Sequence, residues 1–422
     1  MLYNKFPVFT ILERGTMQHP SPTLAPVRLA SGMRARDAWP LDPEIVHLNH
    51  GSFGAVPTEV VRHQEALRAQ ADRSPVGWFP RIAEHVAEAR AAVSPFVGAR
   101  AEDSAFVPNA SAAATVVYNS LRLDAGDEIL VTDHGYGAIT MGAARLARRF
   151  GAHVRAVSIP LLAESGEVVD IFRQEISART RLIVVDQITS STARRFPTGQ
   201  ITALAREHGI RVLVDAAHAP GLIADAAIVG GGDWWFGNLH KWPCAPRGSA
   251  LLVTQDADRG DLWPLIDSWG ATEPYPGRFD TQGTIDATSY LSTPVALEFI
   301  EREHGWARTR ETMRALADLG AGMIADAVQP YVAQNALVPQ PMPVDGMRLI
   351  RLPDGLGKTR EEADALRMTL FDRVGVETAF TSFEGRGYYR LSVHLYTELS
   401  DFEAYVERCI PEILRAAEAA AS

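Results

Sequence analysis

Lys241 is the first residue of this sequence whose type and surroundings suggest chemistry. It lies in GNLHKWPC, residues 237–244, between aromatic and Pro/Gly-rich turns. Flanking Trp242 and Pro243 would hold the amine in a partly desolvated pocket and lower its pKa toward the range that a Schiff-base lysine needs. An ordinary exposed lysine with apolar neighbours is the competing interpretation, and Lys241 alone does not decide between the two.

A second candidate, Asp215, ends the apolar run RVLV at residues 211–214. Ligands of a doubly wound sheet lie at the carboxyl ends of its strands. A carboxylate there can accept a charge-assisted hydrogen bond from a protonated ring nitrogen. Pyridoxal 5'-phosphate (PLP) needs such a partner, since its protonated pyridine draws electrons from the substrate α-carbon. The competing interpretation is that Asp215 caps the turn that follows it.

The segments around these two residues alternate between strand-like and helical patterns. The apolar runs are EILVT (128–132), HVRAVSI (153–159), RLIVVDQI (181–188), RVLVDAA (211–217) and SALLVT (249–254). Helical patterns cover about 58–70, 81–93, 138–150 and 199–208. Near-continuous apolar strands that alternate with helices predict an α/β fold whose mostly parallel sheet is covered on both faces.

The domain organisation follows from where this alternation begins and ends. Residues 1–40 are rich in Pro and Ser and are interpreted as an N-terminal arm, and residues 41–295 as the large domain. A helical region over 289–328 leads into a smaller α+β C-terminal domain, residues 296–422, to which the N-terminal segment contributes. Its strands are predicted at 347–352 and 388–393. A capping box of Ser400 and Glu403 is expected to open the last helix.

Composition excludes several classes of function. The chain has 422 residues and a formal net charge of −10, which argues against nucleic acid or an anionic membrane as the main partner. No apolar run approaches the roughly 18 residues that span a bilayer. The two cysteines, Cys244 and Cys409, predict no disulfide framework and a cytoplasmic, reducing location. The twelve histidines show no metal-ligand spacing, so no metal site is expected.

Seven motifs taken together resemble the class V aminotransferase family of PLP enzymes (fold type I), within it the isopenicillin N epimerase-like branch. The resemblance runs from Leu48 to Tyr389, and the order and spacing of the motifs make it specific. The motifs are LNHGSFG, VPNASAAA, DHGYGA, VDAAHAPG, GNLHKW, APRGSALL and QGTIDATSY. The resemblance implies a PLP-dependent transferase fold, an amino-acid substrate and a homodimer with shared active sites.

The resemblance also implies roles for individual residues. Lys241 would form the Schiff base and shuttle the α-proton, Asp215 would pair with the pyridine nitrogen, and His218 would lie near the 3-hydroxyl. Phosphate contacts are expected from Asn109, Ala110 and Ser111 at a helix N-terminus, from Asn238 and His240, and from Gly283 and Thr284 of a neighbouring subunit. His134 and Tyr136 are both candidates for the ring that stacks on the cofactor, with Tyr136 slightly favoured. Ser190 would approach the polar edge of the cofactor ring.

On the substrate side, Arg390 matches the arginine that binds the α-carboxylate in the family, where a guanidinium offers a bidentate fork. An arginine paired with a local acid is the competing interpretation. Asn49, His50 and Ser52 of LNHGSFG are expected on the same substrate side. Metal ligands are not expected anywhere in this site.

The reaction itself stays open between several outcomes. PLP labilises three bonds at the α-carbon, so the fold does not choose among them. The first hypothesis is an epimerase-like enzyme that removes and returns the α-proton. The second is a C–S lyase that performs β-elimination on a cysteine conjugate; an aminotransferase or decarboxylating enzyme and a non-catalytic binding module are further alternatives. Gln187 and the run 190–193 depart from the epimerase pattern, and the arginine motif RLSVHLYTELS lacks the mobile cysteine of a desulfurase.

Overall fold

The structure is a computed structural model in which residues 25–255 and 259–421 are described. The strands in these ranges are β1 (Val46–His47), β2 (Ser104–Val107), β3 (Glu128–Thr132), β4 (His153–Val157), β5 (Thr180–Asp186), β6 (Arg211–Asp215), β7 (Trp234–Asn238), β8 (Ala250–Thr254), β9 (Met347–Arg351), β10 (Val376–Glu377), β11 (Phe380–Phe383) and β12 (Arg386–Ser392).

The α-helices of the same ranges are α1 (His50–Phe53), α2 (Thr58–Arg73), α3 (Pro75–Trp78), α4 (Ile82–Val93), α5 (Ala110–Ser120), α6 (Gly137–Phe150), α7 (Ser165–Glu175), α8 (Thr198–Glu207), α9 (Ala226–Gly230), α10 (Thr288–Leu291), α11 (Thr293–Glu303), α12 (Trp306–Val328), α13 (Arg360–Val374) and α14 (Leu399–Ala421). No helix in the described ranges has the length and apolar character to cross a membrane.

The large domain is built on a sheet of seven described strands in the order β2-β8-β7-β6-β5-β3-β4. The pairs β3–β4, β3–β5, β5–β6 and β6–β7 are parallel, while β8 runs antiparallel to both of its neighbours. Strands β3, β6, β7 and β8 are buried along their length or nearly so, because helices cover both faces. The expected mostly parallel α/β sheet is therefore confirmed.

The small domain holds a three-stranded antiparallel sheet in the order β11-β12-β9, so β12 is its central strand. Its core packs α12 and α14 against this sheet. Strand β1 from the N-terminal part pairs with β10, which places the chain near Leu48 against the small domain. The helical region expected over 289–328 is divided into α10, α11 and α12, and Gly305 with φ +80° lies at the last break.

The structure describes the expected N-terminal arm from residue 25 onward, and residues 1–24 lie outside the described residues. Leu29, Ala35 and Trp39 are buried in the core, so residues 25–40 pack against the rest of the chain. Arg34 pairs with Glu398, and Arg36 hydrogen-bonds Asp401 at 2.9 Å, which attaches this segment to the start of α14. The buried apolar side chains and the two ion pairs fix this segment to the core, although its composition is typical of a loop.

The predicted start of the last helix was wrong by two residues. Helix α14 begins at Leu399, so Ser400 lies inside its first turn rather than at its cap. The side chain of Asp401 accepts the backbone N–H of Glu398 at 2.8 Å, which is the acid half of a capping box shifted toward the N-terminus. The sequence does contain a capping acid near the start of this helix, but the acid is Asp401, which also binds Arg36, and not Glu403.

Candidate active site

Four strands of the large sheet bring chemically active residues to one edge, where their carboxyl ends meet. Asp186, Asp215 and Asn238 are the last residues of β5, β6 and β7, and Asn109 follows β2 at the start of α5. Lys241 lies three residues beyond the end of β7. The carboxyl edge of a parallel sheet is where doubly wound folds bind ligands.

Two asparagines fix the N-terminus of α5 at this edge of the sheet. Asn109 is the N-cap, and its Oδ1 accepts the N–H of Ala112 at 2.9 Å. Asn238 Oδ1 accepts the N–H of Ala110 at 2.9 Å, which ties the end of β7 to the helix. The Ser111 side chain is exposed beside them. A helix N-terminus with an accessible hydroxyl is suited to an anion such as a phosphate group.

Lys241 is buried at the start of a tight turn. Its carbonyl accepts the N–H of Cys244 at 3.0 Å, and Cys244 adopts a left-handed backbone with φ +60°. Burial, with Arg390 nearby, lowers the pKa of Lys241 to about 7, although Asp215 opposes the shift. The desolvated setting expected from the flanking Trp242 is thus present, and the amine can lose its proton near neutral pH.

Hydrogen bonds around His218 fix how the lysine amine is bound. Trp242 Nε1–H donates to His218 Nδ1 at 3.4 Å, and indole nitrogen is a donor only. A neutral His218 therefore carries its proton on Nε2, which lies 3.0 Å from Lys241 Nζ. Burial and the nearby Lys241 lower the pKa of His218 well below its usual value, so the ring is neutral. Lys241 accepts this hydrogen bond as a neutral amine.

Asp215 is buried at the floor of the site. Its Oδ1 accepts the N–H of Ala217 at 2.9 Å, the turn-capping contact that was the competing interpretation. Burial raises the pKa of Asp215 to about 6, so the carboxylate is still an anion at neutral pH. The local cap and a charged partner for a ring nitrogen are compatible, because the cap uses only one of the two oxygens.

Arg390 projects from the central strand β12 and is buried without a carboxylate partner among the described residues. Its guanidinium donates to Ser190 O at 2.7 Å, to Ser52 Oγ at 2.9 Å and to Asn49 Oδ1 at 3.1 Å. Nε has no hydrogen-bond partner within residues 25–255 and 259–421. A buried guanidinium held only by neutral groups favours an incoming anion, and no local acid of the described chain takes that place.

Ser190 connects the two halves of the site. Its hydroxyl lies 3.4 Å from His218 Nε2 and 3.2 Å from a terminal nitrogen of Arg390. The Ser190 hydroxyl thus lies between His218, which contacts Lys241, and the guanidinium of Arg390. A cleft of about 320 Å³ opens beside it, lined by Ser52, Tyr136, Ser190 and Arg390.

The geometry separates the two candidates for a stacking ring. His134 is buried beneath the cleft, where its ring nitrogens contact Thr192 Oγ1 at 2.7 Å and the carbonyl of Ile159 at 2.8 Å. Its ring packs on Phe383 with centroids 4.2 Å apart. Tyr136 instead is about half exposed and lines the cleft. The arrangement favours Tyr136 for the cofactor face.

His50 is buried against the turn that carries Lys241. Its Nε2 contacts the carbonyl of Lys241 at 3.1 Å, and its Nδ1 contacts the hydroxyl of Tyr396 at 2.9 Å. A Cβ on Gly54, at φ +70°, would lie 2.1 Å from the carbonyl oxygen of His240, so the LNHGSFG segment packs directly on the lysine turn. His50 is therefore placed to support Lys241 from behind.

This support yields a testable effect on stability. Tyr396→Phe removes the only described hydroxyl that donates to His50 Nδ1, and an unsatisfied buried acceptor costs about 1–3 kcal/mol. We expect urea denaturation to show a loss of unfolding free energy in that range. Tyr389→Phe is the matched control, because the Tyr389 hydroxyl is buried with no hydrogen-bond partner in the described part of the chain and its removal should be neutral. Equal effects of the two substitutions would contradict the supporting role.

Three further expected residues are placed less directly. His240 Nδ1 contacts the carbonyl of Ser249 at 3.1 Å, which fixes its ring near the end of β7. Gly283 has φ +76° and Thr284 is exposed, and no described hydrogen bond joins either of them to the residues around Lys241. Within one chain these two residues do not complete the site.

Two features were not anticipated correctly from the sequence. Asp186 is buried beside Asp215 and was not among the expected site residues. Its segment RLIVVD carries the same sequence signal as Asp215, a carboxylate at the end of an apolar strand. Gln187, which departs from the epimerase pattern, uses its amide to donate to the carbonyl of Ala226 and to accept from Trp235 Nε1, both at 2.9 Å. Consecutive residues leave a strand on opposite faces, so Gln187 points away from the side of Asp186.

The donor set fits PLP. An unprotonated buried amine, a buried carboxylate and an anion-binding helix N-terminus at one sheet edge match the aldehyde, the pyridine nitrogen and the phosphate of that cofactor. The unpaired Arg390 adds a place for a substrate carboxylate.

Comparison with known proteins agrees with this assignment. The isopenicillin N epimerase of Streptomyces clavuligerus is 30% identical over 87% of this chain and 95% of its own length. A probable chloroplastic L-cysteine desulfhydrase of Arabidopsis thaliana is 25% identical over 86% of this chain and 81% of its own.

Among solved structures, the cystine C-S lyase C-DES in complex with its reaction product cysteine persulfide shares the fold. Its TM-score is 0.74 at 18% identity, covering 87% of this chain and 98% of that one. The sequence also matches the family Aminotransferase class-V over residues 55–333, more than half of the chain. The chain therefore belongs to the class V aminotransferase family and is a PLP-dependent enzyme.

Proposed function

We propose that the enzyme removes the α-proton of an amino acid and returns it, as an epimerase does, with Lys241 as the base and Arg390 as the carboxylate ligand. The observation that carries this proposal is the Ser190 hydroxyl, which lies 3.4 Å from His218 and 3.2 Å from Arg390. His218 in turn contacts Lys241 at 3.0 Å. An amino acid whose carboxylate binds Arg390 would therefore present its α-carbon toward the lysine amine.

The residues of the site have separate tasks in this mechanism. PLP, when bound, withdraws electrons from the α-carbon of the attached amino acid. Lys241, whose pKa of about 7 leaves much of the amine neutral at neutral pH, takes the proton from one face of the α-carbon, and inversion requires that a proton be returned to the opposite face. His218, through its Nε2, holds the amine in place, while Asp215 supplies a fixed anion for the pyridine nitrogen. Asn49 and Ser52 orient Arg390 from the substrate side.

A second candidate is a C–S lyase that performs β-elimination on a cysteine conjugate. It shares the first step, the removal of the α-proton by Lys241, and differs only in the departure of a thiol from the β-carbon. The curated relatives that support it carry the names of L-cysteine desulfhydrases, whereas the epimerases match with slightly higher identity. Transfer of sulfur to a protein cysteine is disfavoured, because Cys244 and Cys409 are both buried and burial raises the pKa of each thiol.

Incubation with a panel of amino acids and cysteine conjugates in deuterated water separates the two candidates. We expect deuterium at the α-carbon and inversion of configuration without pyruvate. Release of pyruvate, ammonia and a thiol would instead establish the lyase. The catalytically inactive Lys241→Ala variant serves as the control in both assays, and a wild type that gives neither result would contradict both candidates.

We further infer that a second copy of the chain completes the phosphate site. Gly283 and Thr284 stand apart from Lys241 within one chain, and the Thr284 side chain is exposed. The family resemblance assigns this segment to the phosphate of the neighbouring subunit. The homodimer stays a prediction, which sedimentation of the purified enzyme with and without PLP would check.

A further inference from the structure

Asp186 and Asp215 form a pair of acids at the floor of the site. Strands β5 and β6 are parallel neighbours, and Asp186 is the direct register partner of Asp215. Neighbouring strands lie about 4.8 Å apart, and residues in register project to the same face. Both side chains are buried, with 5% and 2% of their surface exposed. The two carboxyl groups are thus held side by side away from water.

No ion pair among the described residues involves either acid. Lys241 is the basic group that acts on both acids, and its lowered pKa of about 7 leaves much of its amine neutral at neutral pH. From α5, the hydroxyl of Tyr118 faces them, but it donates to the carbonyl of Ile139 at 3.1 Å. The loop between β3 and α6 covers Asp186: a Cβ on Gly135 would lie 3.8 Å from its Oδ2, and the nearby backbone N–H of Tyr136 acts to lower the pKa of this carboxyl group.

Two buried carboxyl groups this close do not both ionise near neutral pH. Burial and the neighbouring Asp215 raise the pKa of Asp186 well above its usual value, whereas the pKa of Asp215 is raised only to about 6. Asp186 consequently keeps its proton while Asp215 is the anion. A protonated Asp186 has an O–H group that can donate a hydrogen bond, and its carbonyl oxygen can still accept one from the backbone N–H of Tyr136.

We propose that Asp186 is a second, protonated acid of the cofactor site, a positioning residue that fixes the Asp215 carboxylate and the Tyr136 loop around the cofactor ring. This inference rests on the proposed function, because it assigns the ring nitrogen to Asp215. Asp186 acts through its two neighbours: Asp215 would contact the pyridine nitrogen, and Tyr136 would cover the ring. The neutral acid stabilises this arrangement without adding a second charge.

The choice of substitution makes the proposal testable through PLP affinity. Asp186→Asn keeps a neutral side chain with a donor and an acceptor, so titration of the PLP-free chain with PLP should give a dissociation constant within about threefold of the wild type. Asp186→Ala removes both groups and should weaken PLP binding about tenfold or more. Asp215→Asn, which removes the anion, should weaken it further. Equal weakening by Asp186→Asn and Asp215→Asn would overturn the assignment of a protonated Asp186.

A second measurement follows the proton directly in the PLP-free chain. A carboxyl group whose folded pKa is raised contributes stability below its unfolded pKa and loses it as pH rises through the folded value. Because Asp186→Asn lacks this titration while the other groups are the same in both proteins, the urea midpoint of the wild type should fall relative to that of Asp186→Asn as pH rises above the usual pKa of an aspartate. An unchanged pH dependence in Asp186→Asn would contradict the proposal.

A failure of the proposed function and a failure of the role of Asp186 would give different results. If the wild type binds no PLP, the proposed function itself is wrong. If the wild type binds PLP and Asp186→Ala binds it equally well, only the role of Asp186 is wrong. Asp170→Asn, on the exposed surface of α7, is the control for nonspecific effects of removing a carboxylate.

Discussion

Lys241→Ala is expected to abolish the visible absorption of bound PLP and to lower turnover about 10⁴-fold, the upper end of what general acid–base residues contribute. The loss is large because one side chain has two tasks: it bonds to the cofactor and moves the α-proton. The substitution removes an amine that is held 3.0 Å from His218 and whose pKa is lowered to about 7. The absorption spectrum and the rate of α-deuterium exchange measure the two tasks separately.

Two companion variants make this result specific. Lys241→Arg keeps a positive charge, but a guanidinium does not lose its proton at neutral pH, so it should be as inactive as alanine. Lys358→Ala removes an exposed lysine and should leave both measurements unchanged. A Lys241→Ala enzyme that keeps the visible band would contradict the assigned role.

Arg390→Lys is expected to lower kcat/KM for amino acids about 100-fold. Hydrogen bonds to charged groups contribute roughly 1.5–3 kcal/mol each, and an ammonium cannot reproduce the bidentate fork that the guanidinium offers to a carboxylate. Lysine retains the positive charge, so the substitution tests geometry rather than charge. Arg386→Lys is the matched control, since Arg386 begins the same strand β12 with an exposed side chain.

A substrate without its carboxylate makes the Arg390 prediction sharper. The wild type should prefer an amino acid over the corresponding amine, and Arg390→Lys should lose most of that preference while the rate with the amine changes little. Unchanged discrimination in Arg390→Lys would show that another group binds the carboxylate. Both substrates are measured with the same PLP-loaded enzyme, so a difference in cofactor content does not explain the result.

The elements that carry the site could be predicted from sequence because their signals are local. Buried parallel strands leave near-continuous apolar runs, so EILVT and RVLVD were placed at β3 and β6 with the correct bounds or within two residues. Lys241 and Arg390 were proposed from motifs, although 149 positions of chain separate them. In the fold, Arg390 contacts Ser190 directly, and Lys241 is linked to Ser190 through His218.

What could not be predicted depends on packing between distant segments. Asp186 carries the same strand-end signal as Asp215, but only the register of β5 against β6 shows that the two acids are neighbours. His50 was expected on the substrate side, and only the packing of distant segments shows that its ring contacts the carbonyl of Lys241 and the hydroxyl of Tyr396 from the small domain. Residues 25–40 resemble a tail in composition, yet Trp39 and the Arg36–Asp401 pair fix them to the core.

Mapping the lysine that bonds to PLP tests the central claim most directly. The chain contains three lysines, Lys5, Lys241 and Lys358, so the measurement has few outcomes. The PLP-loaded enzyme is treated with borohydride, digested and analysed by mass spectrometry. We predict a pyridoxyl group on Lys241 and on neither of the others. Labelling of Lys5 or Lys358 in its place, or no labelling at all, would contradict the assignment of this site.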